Sequence, residues 1–488
     1  MLGRSKATHL GVLTFVVILL AISSCSKDKI PTKPSINDLI PPAAVIDLAV
    51  GDPTTSSVTL TWTAPGNDTT SGTAARYDIR YYRLPITDAN WALAPRATGP
   101  PKPKPAGSKE TFVVTGLSPS SSYYFALKAA DEKPNWSALS NVPDDSTLAG
   151  PIWSPLGSGT NGDVSALTVY NGQLIAGGMF TTAGGVPVNY VAAWNGSSWS
   201  PLGSGTNGDV SALTVYNGQL IAGGMFTTAG GVPANYVAAW NGSSWSPLGA
   251  GTNMCVLALT VYNGQLIAGG NFSTAGDCTA FDIAAWNGSS WSPLGSGLSH
   301  DSCLPCVPVV RALTVYNGQL IAGGMFTTAG DVFAHCIAAW NGSSWAPLGS
   351  GTSGQVYALV QYVPFLAAGG AFMTAGGVSA NFIATWNGSS WAPLGSGSGM
   401  PNSEVMALTI YNGQLIVGGG FNTAGGIFAD GVAAWSDSSW SLLGLVMSGS
   451  SYYPTVRALT VYGGQLIAGG TFDLAGGVSV NHVAASGY

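Results

Sequence analysis

Cysteine and histidine are the residues of this 488-residue chain best suited to chemistry, and five of its six cysteines fall late: Cys255, Cys278, Cys303, Cys306 and Cys336. Cys303-x-x-Cys306 follows His300 closely, and His335 adjoins Cys336. Two chemistries fit. Disulfides would pair four of the five and leave one thiol over. Two cysteines joined by further Cys or His ligands could hold a zinc ion tetrahedrally. The carboxylates offer less. From residue 151 onward there are ten: Asp163, Asp209, Asp277, Asp282, Asp301, Asp331, Glu404, Asp430, Asp437 and Asp473. None forms a close pair suited to glycoside hydrolysis. No G-x-S-x-G, H-E-x-x-H, phosphate-binding loop or EF-hand loop occurs. The expectation is a non-enzyme with no catalytic residues and no cofactor, zinc being the one alternative.

Charge narrows the partners. The formal net charge is −6 and charged residues are 8% of the chain, which gives no footprint for nucleic acid. The last lysine is Lys133, and beyond it the only permanent cations are Arg311 and Arg457, with His300, His335 and His482 as weaker bases.

The elements that must position these residues are repeats. Trp153, Trp199, Trp245, Trp291, Trp345, Trp391 and Trp440 each open a W-S/A-P-L-G motif, with Leu442 in place of proline in the last. One copy holds four short strands, here A to D: "VSALTVY" (164–170), "QLIAGGMF" (173–180), "YVAAWN" (190–195) and "WSPLG" (199–203). Asn171-Gly172 between A and B suits a tight hairpin, whose central residues need positive φ. Seven such sets predict an all-β, seven-bladed β-propeller over 149–488. The phase predicts its closure. The first D strand, 153–157, precedes every A strand, and the last A-B-C set, Val456–Ser486, lacks a D strand of its own. The repeats resemble kelch-like repeats in their Gly-Gly doublets, such as Gly177-Gly178, and in an aromatic on strand C followed by Trp on strand D. They are similar also to repeats of the fungal cortical polarity-marker family. The resemblance implies a propeller; among kelch-like proteins it implies an oxidase or lyase as the alternative function.

The regular parts are expected to be structural. Trp194 and Trp199 flank a four-residue turn and should face each other across two strands as packing, not as a ligand clamp. Variation is confined to the D–A connection. It is 11 residues from Trp to the A strand in four copies, but 19 from Trp291, 14 from Trp391 and 16 from Trp440. Insertions limited to one connection lie on one face, often the binding face. The D–A and B–C loops should share that face, and it should point away from the N-terminal domain. The insertions "SHDSCLPCVPV" (299–309) and "LVMSGSSYYPT" (445–455) stand out, and Asp301, Glu404, Tyr452 and Tyr453 are the candidate binding-face residues.

Residues 41–148 alternate short strands and turns, which suggests a β-sandwich. Pro42, Leu48, Val50, Trp62, the Leu-x-Pro-x-x-x-Tyr corner from Leu117 to Tyr123, and "SALSN" (137–141) resemble a fibronectin type III domain. Trp62 and Tyr123 take structural roles in that resemblance. A Pro/Lys-rich insertion, 95–107, is expected to bulge out as a loop, and no Arg-Gly-Asp occurs.

At the N-terminus, Arg4 and Lys6 precede an apolar stretch, Leu10–Ser24, in the manner of a signal peptide (1–25). "ISSC" (22–25) resembles the bacterial lipobox, which implies lipid attachment at Cys25 and a flexible tether over 26–40. That implies the cell envelope, as outer membrane or cell surface. This compartment favours disulfides over zinc. The functional expectation is a lipid-anchored, non-enzymatic binding or adhesion scaffold. Its D–A/B–C loop face would engage a protein or a glycan.

Overall fold

The computed structural model describes residues 39–117, 121–133, 135–148, 152–299, 308–395, 401, 403–436, 438–443, 447–448 and 454–487. Among them the protein is all-β, with a single 3-10 turn at Trp91–Leu93. No helix among the described residues is long and apolar enough to cross a membrane.

The N-terminal part packs two three-stranded sheets face to face. One holds Ala49–Gly51, Ser57–Thr63 and Lys109–Thr115; the other holds Arg76–Tyr82, Ser122–Ala130 and Asp144–Ser146. Alternation along Ser57–Thr63 puts Val58, Leu60 and Trp62 inward, and all three are fully buried. Trp62 meets Tyr77 edge-on at 5.2 Å. Tyr123 is buried, and its hydroxyl accepts a hydrogen bond from Arg83 Nη2 at 3.1 Å. Residues 118–120 of its corner lie outside the described residues. The 95–107 insertion does not simply bulge away. The Ala97 amide bonds the Ile79 carbonyl, Arg96 pairs with the buried Asp78 at 2.8 Å, and the Lys104 amide reaches Glu110 at 2.7 Å. A buried carboxylate needs such partners, so Asp78 and Glu110 draw the insertion back onto the sheet.

The repeats form seven four-stranded antiparallel sheets, called units 1 to 7. Their A strands are Val164–Tyr170, Val210–Tyr216, Val256–Tyr262, Val309–Tyr316, Gln355–Tyr362, Val405–Tyr411 and Val456–Tyr462. In unit 1 the remaining strands are Gln173–Gly178, Val191–Trp194 and Trp199–Pro201. Asn171 and Gly172 both have positive φ, as the tight hairpin requires. Unit 7 takes its fourth strand from Ile152–Pro155, where Trp153 lies opposite Ser486. Each A strand neighbours the A strand of the next unit, and that of unit 7 neighbours that of unit 1.

The core lies between units as much as within them. Tyr170, Ile175 and Leu202 of unit 1 pack with Val210, Leu220 and Trp240 of unit 2 in one buried cluster. The Gly-Gly doublets sit at this contact. A Cβ on Gly177 would lie 2.5 Å from Val210 Cγ1, and one on Gly469 would lie 2.5 Å from Val164 Cγ1 of unit 1. Only glycine lets neighbouring sheets approach so closely.

Candidate functional site

One residue of every A strand is set apart by its backbone. The A–B pairing slips between the first and third residues of V-x-A-L, so x is the extra residue of a β-bulge: Ser165, Ser211, Leu257, Arg311, Tyr357, Met406 and Arg457. A bulge re-aims the side chain it carries. Those same seven residues line one cavity of about 370 Å³. It lies where the A strands begin, on the side of the D–A connections. The B–C loops share that side. Thr160 of the D–A connection bridges to Ala183 of the B–C hairpin, and Leu298–Ser299 and Met447–Ser448 each add a strand to such a hairpin.

The cavity concentrates the cations of this half of the chain, because Arg311 and Arg457 are its only arginines or lysines beyond Lys133. Arg457 is engaged: its Nη1 sits 3.0 Å from Asp163 Oδ2 of unit 1. Arg311 instead lies over the Tyr357 ring, at 5.6 Å from its centroid. Burial raises the Tyr357 phenol above its ordinary range and Glu404 adds to the rise, while Arg311 opposes it. Burial likewise raises the Asp209 carboxyl, helped by Asp163. Tyr357 is shared with a second cleft of about 680 Å³ between units 4 and 5, lined also by Met325, His335, Cys336, Ser353 and Gln355. Phe333, 70% exposed, stands beside His335 with ring centroids 6.4 Å apart.

The residues singled out in the sequence scatter over this face. Glu404 comes close to Tyr357 at the cavity lined by the seven bulged residues, and His335 and Cys336 line the neighbouring cleft. Cys255 sits immediately before the A strand of unit 3, at the position of Asp163 in unit 1. Cys278 lies in the B–C hairpin of unit 3, paired with Ala275, and its Sγ donates to the Trp291 carbonyl. Cys255, Cys278 and Cys336 are free thiols, and no group of three metal-binding side chains occurs among the described residues. Burial pushes the Cys255 and Cys336 thiols up, away from reactivity. Cys25, His300, Asp301, Cys303, Cys306, Tyr452 and Tyr453 lie outside the described residues.

Trp194 and Trp199 are buried opposite each other with ring centroids 5.4 Å apart. The Trp199 indole donates to the carbonyl of Leu156, the neighbour in unit 7.

Two features were not expected. Asp282 is 5% exposed and burial pushes its carboxyl up to about 8. It occupies a B–C loop position that holds Tyr190 and Tyr236 in units 1 and 2, each with positive φ. The other is the N-terminal domain, which does not keep clear of the loop face. A Cβ on Gly116 would lie 2.8 Å from Ile427 Cγ2, and Ile427 belongs to the B–C hairpin of unit 6. The domain leans on the rim of that unit, where Ile427 also packs with Ala367 and Ile383 of neighbouring unit 5.

Residues 41–142 match the model of the fibronectin type III domain, and this part of the chain is such a domain. The chain is also similar to calcium-activated chloride channel regulator 1 of Equus caballus, 35% identical over 133 residues, which is 26% of this chain and 14% of that protein. It is similar to the Sus scrofa protein of the same name, 33% identical over 128 residues, 25% of this chain and 14% of the other. The chain thus spans only about a seventh of the length of these relatives. Among solved structures it is similar to a fibronectin type III domain from the human KIAA0970 protein, with a TM-score of 0.16, 15% identity, and coverage of 22% of this chain and 74% of that one. The sensor domain of the anti-sigma factor RsgI4 from Pseudobacteroides cellulosolvens gives a TM-score of 0.16 at 17% identity, covering 22% of this chain and 92% of that one.

Proposed function

We propose that this chain is a non-enzymatic binding scaffold of the cell envelope or cell surface. In this reading the seven units form a kelch-like, seven-bladed β-propeller over 149–488, closed by the strand that precedes them. A lipid on Cys25 and the 26–40 tether anchor it, and the fibronectin type III domain holds the propeller off the membrane. The propeller engages a protein or glycan partner through its D–A/B–C face. One observation carries the reading. The A strands keep V-x-A-L almost unchanged, and they diverge at the one bulged residue that points into the axial cavity. Divergence against a uniform scaffold marks the place where the units have separate work. The fibronectin type III domain and the partial likeness to proteins named as channel regulators support a binding role.

The test is a glycan-array and protein pull-down screen with the full chain, repeated after trimming 299–309 and 445–455. A partner whose capture weakens on trimming is expected. Capture that survives both trims and every substitution at the axial cavity would remove the loop face as the site.

A further inference from the structure

The ligand class can be argued further, and the argument rests on the binding face just proposed. Beyond Lys133 the chain has ten carboxylates from residue 151 on and only two permanent cations, so a polyanion would be repelled as a whole. Both cations nevertheless stand at the same bulge position around one cavity, Arg311 in unit 4 and Arg457 in unit 7. That arrangement suits a single anionic group. Of the two, Arg457 is neutralised by Asp163. Arg311 has no ion pair among the described residues, and its Cζ lies over the Tyr357 ring at 5.6 Å from the centroid. A guanidinium with no carboxylate partner of its own can take one with two parallel N–H donors.

The space beside it says what carries the carboxylate. The cleft between units 4 and 5 opens from Tyr357 and is walled by Thr352, Ser353, Gln355, Thr374 and His335. Hydroxyl, amide and imidazole groups give and accept hydrogen bonds in either direction, as sugar hydroxyls do. Phe333 at its edge offers an exposed aromatic face. A peptide would look instead for an unpaired strand edge or deep apolar pockets. Here the hairpin strand Thr328–Ala329 is already paired on both sides, with Val332–Phe333 and with Leu298–Ser299. We infer that the axial cavity binds an acidic sugar. Its carboxylate sits on Arg311, and its saccharide chain leaves through the cleft past Tyr357 and His335.

Calorimetric titration of the full chain tests this. The probes are neutral oligosaccharides ending in a single galacturonate or a single glucuronate, each beside its carboxyl-reduced counterpart, with a short, otherwise neutral peptide carrying one glutamate as the competing class. A uronate-ended oligosaccharide should bind. Its carboxyl-reduced form should bind about tenfold more weakly or worse, and Arg311→Gln should lose affinity by a similar factor. Arg311→Lys should retain part of it, with thermal melting confirming that both variants fold. Equal binding of the uronate and carboxyl-reduced forms, or an unchanged Arg311→Gln variant, overturns the inference. So does preference for the glutamate peptide. A neutral sugar bound equally by wild type and Arg311→Gln overturns it too, and leaves the binding face standing. Absence of any partner in both this panel and the array overturns both.

Discussion

The Trp199 indole Nε1 donates to the Leu156 carbonyl at 2.7 Å, joining unit 1 to the strand that completes unit 7. Equivalent bonds run from Trp245 to Leu202, Trp291 to Leu248, Trp345 to Leu294, Trp391 to Leu348 and Trp153 to Leu443. Each motif tryptophan therefore staples its unit to the preceding one. Trp440 is the exception: its Nε1 is buried with no hydrogen-bond partner among the described residues. Trp199→Phe should destabilise the protein by about 1–2 kcal/mol in denaturant unfolding, through one lost buried bond and an orphaned carbonyl. Trp440→Phe should cost clearly less, since no bond is lost. Equal losses would show that ring volume, not the staple, carries the effect.

The doublet glycines make a second, independent test of how the units meet. Gly177→Ala should destabilise by about 1–3 kcal/mol, because its methyl falls on Val210 of unit 2. Val210→Ala alone leaves a cavity. The double variant should be more stable than the sum of the two losses predicts, since each change relieves the other. Simple additivity in a double-mutant cycle would place the two residues out of contact.

Asp282 sets a pH dependence. Burial raises its folded-state pKa to about 8 from an ordinary value of 3.8. Between those values the unfolded chain releases the proton and the folded chain keeps it, so stability falls as pH rises through the window. The fall ends above the folded pKa. Asp282→Asn, which tolerates the positive φ of this position, should abolish that part of the slope. It should melt higher than wild type near pH 8 and differ least near pH 4. Parallel melting curves for the two proteins across this range would contradict the assignment.

Ser486 is where the repeat breaks. It faces Trp153, is fully buried, and its hydroxyl has no hydrogen-bond partner among the described residues. Removing a buried unsatisfied hydroxyl relieves its desolvation cost. Ser486→Ala should therefore raise stability by about 1 kcal/mol, seen as a higher denaturant midpoint at unchanged m-value. A loss of stability would mean that the hydroxyl finds a partner in solution.

Much of the architecture was legible because repetition makes it so. Gly-Gly, Asn-Gly and the Trp–Trp spacing recur, and each maps onto one physical need: close approach, a tight turn, a cross-strand pair. The supply of the fourth strand of unit 7 by Ile152–Pro155 followed from the phase of the motif alone. The site was less legible. Length differences drew attention to the D–A loops, while the axial residues vary inside a strand of constant length. Aligning V-x-A-L across the seven copies would have exposed Arg311 and Tyr357, but only the bulge explains why x points inward. Asp282 was hidden for another reason. Nothing in its local sequence says that its loop position is buried between units. The contact of Gly116 with Ile427 depends on how two domains meet, and repeat periodicity carries no information about that.

The most direct test of the binding face erases its divergence without touching the scaffold. Arg311→Ser, Tyr357→Ser and Met406→Ser together give three further strands the residue already present in units 1 and 2, so the fold should be retained. Ser197→Lys, in an exposed C–D turn on the opposite side, serves as the comparison. On the same glycan and protein array, the triple variant should lose the wild-type signal while Ser197→Lys keeps it. Full signal from the triple variant, or loss on Ser197→Lys alone, would contradict the account.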